Sequence, residues 1–142
     1  MDFNLSMEKF AEKTLDKLEV GFKKVAFGLS EDIIMATPVD SGRARGNWFP
    51  EINTFSTKED NNADGSGSVA VSKVAAKTRA LKLGQTFTLT NNLPYIVRLE
   101  YGLYPLTSKG SKTISGFSTQ APQGMVRINL IKWQQHINNG FK

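Results

Sequence analysis

The chain has no cysteine, one histidine (His136), and no apolar run near the ~20 residues that cross a bilayer. Without cysteine there are no disulfides and no thiolate metal sites, so the fold depends on packing alone. A single histidine with no D-x-D-x-D-G loop gives no metal-ligand cluster. Nothing resembles a nucleophile elbow, and His136 reads as a surface or packing residue. Gly65-Ser-Gly-Ser68 is glycine-rich but lacks the lysine a phosphate cradle needs. Most acids fall on one predicted helix and in the 57–64 stretch, at spacings of a solvated surface rather than of an acid–base pair. The opening Met1-Asp-Phe-Asn-Leu5 has no basic region followed by an apolar stretch, so no secretory signal is expected. These absences lead to an expectation of a soluble, cytoplasmically made protein. No catalytic residue, cofactor, metal or membrane partner is expected.

Acid is scarce in the second half. Residues 1–64 hold 12 acidic and 8 basic side chains, a net of −4, whereas residues 65–142 hold Glu100 alone against 10 Lys and Arg, a net of +9. Three readings fit: a solvated surface, unlike-charged faces of neighbouring copies meeting head to tail as in a ring, or direct phosphate contacts to nucleic acid. Against the last, the basic residues are scattered and form no known nucleic-acid-binding motif. At 142 residues the chain is read as one domain, 1–142, able to bury roughly two-thirds of its unfolded surface. Its modest 39% hydrophobic content suits a chain that completes its burial against copies or partners.

The pattern predicts α+β: a long N-terminal helix and a C-terminal helix packed on a small, mainly antiparallel sheet. Ala11, Leu15, Leu18, Phe22, Val25 and Leu29 form one stripe of a helix over about 6–36. A coiled coil is the alternative, but the seam covers under three heptads, which favours packing on the chain's own sheet. Gly21 and Gly28, on one side of this helix, suggest close approach of another backbone. A strand is expected from Asn47 to Phe55, with Pro50 arguing for an edge or bulge. A polar, flexible loop follows at 57–68, then a helix over about 69–82 ended by Gly84. Thr86–Thr90 alternates as a half-buried strand. Asn92 is expected to cap a short helix running to Gly102. The stretch 103–120 reads as a second flexible loop, and a last helix covers about 123–138 with Val126, Leu130, Trp133 and Ile137 on one stripe.

Three segments rich in turn formers and caps punctuate these elements: Thr37-Pro-Val-Asp-Ser-Gly-Arg-Ala-Arg45, Asn91-Asn-Leu-Pro-Tyr-Ile-Val-Arg-Leu-Glu-Tyr-Gly102 and Gln120-Ala-Pro-Gln-Gly-Met-Val-Arg127. Pro38 stops the first helix, and Asp40-Ser41-Gly42 makes a turn. If the following residues are extended, Arg43 and Arg45 share a face. Their guanidinium forks then engage a carboxylate on this chain or a neighbouring copy, stay in solvent, or bind phosphate.

In order and in their Gly, Pro, Asp and Arg identities, the three segments resemble the tail-component family of tailed bacteriophages, the tail-completion or neck proteins. Thr37, Pro38, Asp40, Gly42 and Arg43 match the family's first motif; Tyr95, Glu100 and Gly102 match the second; Ala121, Pro122, Gly124 and Met125 match the third. The 103–120 stretch departs from the family in looking longer than is usual. The resemblance implies no catalytic residues. It implies a virion protein at the head–tail junction, assembled in the host cytoplasm as a ring of six copies around the channel through which DNA passes. Its implied partners are neck or head-closure proteins and tail-terminator or tail-tube proteins, and DNA passes without sequence-specific binding. The alternatives are a tail terminator capping the tube and, in another class, a DNA-binding accessory protein.

Overall fold

A computed structural model describes residues 3–106 and 112–142. The α+β class is what it shows: a long N-terminal helix, a C-terminal helix and two small antiparallel sheets. Helix α1 (Phe3–Ala36) is the longest element, at 34 residues about 51 Å long. It is followed by the single turn α2 (Arg43–Gly46), strand β1 (Phe49–Ile52), helix α3 (Ser68–Ala80), strand β2 (Phe87–Thr90) and helix α4 (Ile96–Tyr101). A short hairpin, β3 (Thr113–Ile114) and β4 (Phe117–Ser118), precedes the turn α5 (Arg127–Leu130) and helix α6 (Trp133–Gly140).

Strands β1 and β2 form a two-stranded antiparallel sheet in which Phe49 faces Thr90 and Ile52 faces Phe87. Each strand keeps an open edge, so Pro50, opposite Leu89, is tolerated as an edge residue. The strand is shorter than its aromatic pattern suggested, because Asn47 and Trp48 are drawn into the interior: both are buried, and the Trp48 indole N–H donates to Thr37 Oγ1 at 2.8 Å. The core gathers Ile33 and Ile34 of α1, Ala44, Trp48, Ala70 and Val74 of α3, Leu93, Leu99 and Met125. Burying an aliphatic side chain as fully as Ile34 stabilises the fold by about 1.5–3 kcal/mol.

Several expected element ends move, each for a local reason. Helix α3 stops at Ala80, ahead of Gly84, because Leu81 turns extended (ψ 135°) to bury its side chain completely. Gly84, at φ 89°, serves the turn that follows. Asn92 does not cap α4: its amide donates to the Ser56 and Lys58 carbonyls, and Tyr95 stands at the helix start. The last helix is not one piece. Gly124, at φ 83°, is incompatible with a helix there, so α5 begins at Arg127 and the chain bends again before α6. Leu130, Ile131 and Trp133 are left exposed, and the expected single stripe is broken.

The 57–68 loop carries little regular structure but is tied at several points. The Asn47 side chain donates to Asp60 O and accepts from Asp60 N, while Asp64 N donates to Gly42 O. Asp64 Oδ2 accepts from Ala70 N and so caps α3. In the second expected loop, 103–120, residues 107–111 lie outside the described residues. Within the rest, Ser115 and Gly116 both take positive φ (52° and 85°), the pair of conformations that a tight two-residue hairpin turn requires.

Helix α6 lies along α1, and the glycines of α1 mark the contact. A Cβ at Gly21 would overlap the Phe141 ring, and one at Gly140 would touch the Gly21 carbonyl oxygen. His136 Nε2 meets Asp32 Oδ2 at 2.8 Å, so the lone histidine fastens α6 to α1. Only the second half of α1 is covered this way: the stripe residues Ala11, Leu15 and Leu18 are exposed, whereas Val25 is buried and Leu29 half-buried. The stripe was expected to pack on the sheet; its second half packs on α3 and α6 instead, and its first half is left exposed.

Candidate functional site

The three turn-rich segments, the first and third bonded across 81 residues of sequence, come together around one cleft of about 520 Å³. Pro38, Gly42 and Arg43 line it from the first segment, Tyr95 and Leu99 from the second, and Gln120 from the third. The cleft exists because side chains of the second and third segments bond the backbone of the first, and those two segments bond each other's.

Thr37 anchors the first segment. It is fully buried; its hydroxyl donates to Ile33 O at 2.7 Å, and its carbonyl accepts two N–H groups of Arg45 at 2.9 and 3.2 Å. Gly42, at φ 88°, sits so close to Asp64 and Gly65 that a Cβ would strike their backbone nitrogens. Its carbonyl accepts from both Gly46 N and Asp64 N. Arg43 and Arg45 diverge, because the segment is a helical turn and not extended. Arg43 donates to Asp60 O and pairs with Glu59 at 2.6 Å. Arg45 grips the carbonyls of Met35, Thr37 and Gly65. A carboxylate on the same chain thus meets Arg43, while Arg45 serves as a brace for backbone oxygens. Asp40 is exposed and pairs with the exposed Lys112.

In the second segment, the Asn91 amide donates to Ala44 O and Leu93 is buried. Tyr95 lies at the cleft with its hydroxyl pKa raised, by burial first, against an opposing effect of the nearby Arg43 charge. Gly102 ends α4 at φ 69°, with its N–H and that of Leu103 both donating to Arg98 O.

Glu100 is the junction of the second and third segments. Its buried carboxylate accepts from the backbone amides of Met125 and Val126, both 2.8 Å, and of Arg127 at 2.9 Å, and from Arg127 Nε at 3.0 Å. A second Arg127 nitrogen donates to Glu100 O at 2.7 Å, and the guanidinium lies 4.5 Å over the Tyr101 ring. Burial alone would raise the Glu100 pKa. The Val126, Met125 and Arg127 amides and the Arg127 side chain outweigh it and hold the carboxyl below its ordinary 4.5. Gly124 is needed here because a Cβ would collide with Glu100 O and Oε2. Ala121 and Met125 are buried beside it. Pro122 forms an isolated bridge with Gly124, and Gln120 is stitched to the first segment: its side chain accepts from Val39 N at 2.8 Å and donates to Val39 O at 2.7 Å.

Sequence reading missed Arg127 as the partner of Glu100, and Gln120 as the link to Val39. One signal did exist: Glu100 is the only acid in a half with ten bases. Among the described residues, no buried side-chain nitrogen or oxygen lacks a partner, and no group of three His, Cys, Asp or Glu stands where a metal could bind. Among them, no helix is long and apolar enough to cross a membrane. The polar groups of the motifs hold one another, and the cleft they frame offers a half-buried tyrosine beside a mixed set of charges. Comparison with family models, with curated proteins and with solved structures gave no match to this chain.

Proposed function

We propose that this chain is a structural virion subunit of a tailed bacteriophage, forming a ring at the head-proximal end of the tail that completes the tail and joins it to the neck. The observation that carries this reading is the convergence of the three segments. Residues that resemble the tail-component motifs are far apart in sequence, yet their segments are joined through Glu100, Gln120 and Asn91. Their work is architectural, as expected of a subunit whose value is its shape. The reading assigns no enzymatic step and no cofactor. In this reading six copies of the chain surround the DNA channel, contacting head-closure or neck proteins on one side and tail-tube or terminator proteins on the other.

The test is genetic and compositional. Deleting the gene should leave filled heads and separate tails of normal length, and the protein should be present in purified virions. Heads joined normally to tails in the deletion would sink the reading. Overlong tails would identify a terminator instead. A DNA-binding accessory protein would show affinity falling steeply with salt, with a slope of about −0.9 per phosphate neutralised.

A further inference from the structure

The stripe of α1 that α6 covers does not stop where α6 stops. Gly21, Val25, Gly28 and Asp32 face α6, and the same four–three spacing continues back through Met7, Ala11, Thr14 and Leu18. Packing begins at Glu19, whose carboxylate accepts from Leu83 N, and at Lys23, which donates to Arg79 O. Before it, residues 3–18 project as an arm about 24 Å long. Phe10 is 67% exposed and Met7 52% exposed. Among the described residues the stripe from Met7 to Leu18 is bordered by a groove of about 670 Å³ where the arm meets Phe141, and its side chains stay exposed.

The edges of the stripe indicate what covers it. At 100° per residue, Glu8 and Glu12 run along one edge of the arm and Lys13 and Lys17 along the other, at matching angles from the stripe's centre. Two such helices placed side by side and antiparallel set glutamate edge against glutamate edge and lysine edge against lysine edge. Placed parallel, each sets its glutamate edge against the other's lysine edge. The same complementarity repeats for any number of parallel arms arranged around an axis, because each arm carries one edge of each sign.

We propose that the occupant of the arm's apolar stripe is the arm of a second copy of this chain, packed parallel to it. The arm offers under three heptads, too short for two isolated helices to associate stably in water. The contact therefore acts together with other contacts between copies, and its test needs the whole chain. The proposal stands on the geometry of α1. It shares with the virion reading only that copies meet.

The absence of cysteine makes the test direct, since one introduced thiol is unique in the chain. Full-length Met7→Cys and Leu18→Cys variants place it in the stripe, and Lys9→Cys places it on the far face. With purified protein and a short bis-maleimide cross-linker, M7C and L18C are each expected to link to their own kind in several-fold higher yield than K9C. Adding Phe10→Glu to M7C is expected to abolish the link with the circular dichroism spectrum unchanged. Equal yields at all three positions, no link at any, or a link that survives Phe10→Glu would overturn the proposal. Linking only in a mixture of M7C with L18C would show the arms to be antiparallel and overturn it as well. A positive result with normal virions from the gene deletion would remove the virion reading and leave arm pairing standing.

Discussion

In the body of the molecule, from Glu19 onward, the stripe of α1 is covered and every buried polar side-chain atom among the described residues has a partner. In the arm before Glu19, the same helix carries the same stripe into solvent: Val25 is 5% exposed, but Leu18, one heptad earlier, is 41% exposed. Apart from Gly21 and Gly28 in the covered stretch, the two carry the same four–three spacing. What differs is that α6 and α3 reach one and not the other. Amphipathic spacing therefore specifies a face to be covered and leaves open whether the cover comes from the same chain.

The body side of this contrast is expected to give the largest effects. Glu100→Ala removes the acceptor of four hydrogen bonds and leaves three amides and Arg127 Nε without it. Stranding three amides around a buried acceptor, at about 1–3 kcal/mol each before relaxation, costs about 3–5 kcal/mol, to be read from urea denaturation. Its pH signature has a fixed sign. The folded carboxyl titrates below its ordinary 4.5, so its stabilisation is complete above about pH 4.5 and is lost as pH falls through the lower folded value. Glu100→Gln should therefore show a flatter stability profile than the wild type in that acidic window. Parallel profiles would mean that the carboxylate is not held as described.

Next in size is Gly42→Val. A β-branched side chain at φ 88° is strained, and its Cβ would strike the backbone of Asp64 and Gly65. A loss of about 2–4 kcal/mol is expected, and a wild-type denaturation midpoint would refute the turn. Smaller again is a coupling. A double-mutant cycle on Glu100 and Arg127 should show an interaction of about 0.5–3 kcal/mol. The cycle on Glu100 and Arg43 should be additive within about 0.5 kcal/mol, because Arg43 is spent on Glu59 and Asp60.

The legibility of the sequence follows the same divide between local and distant causes. Periods of 3.6 and 2 revealed α1, α3 and β2, since each pattern lies within one element. Proline and glycine marked the end of α1 and the end of α4 at Gly102. The late start of α5 was hidden, because it depends on Gly124 leaving the helical region to clear Glu100, 24 residues earlier. The use of Arg45 was also hidden: a basic residue two after another reads as half of a pair, and only the turn at α2 sends it to the carbonyls of Met35 and Thr37. The site's segments were visible as words, whereas their meeting through Glu100 and Gln120 required the fold. Where the cover of α1 ends could not be read at all, since α6 lies about a hundred residues away in sequence.

The smallest expected effect tests the arm most sharply. Leu18→Ala removes the same kind of apolar surface as Val25→Ala, from the same stripe of the same helix. In dilute solution Val25→Ala should cost about 1.5–3 kcal/mol, the transfer loss plus a cavity against α6. Leu18→Ala should stay within about 0.5 kcal/mol, as for an exposed site with no partner. If copies cover the arm, the second figure is tied to protein concentration, because association stabilises the folded state by mass action. Raising the concentration should then lift the wild-type melting temperature and widen its gap to Leu18→Ala, while the gap to Val25→Ala stays fixed. A Leu18→Ala cost that is large in dilute solution would instead mean that the chain covers its own arm there, and the difference between the two halves of α1 would disappear.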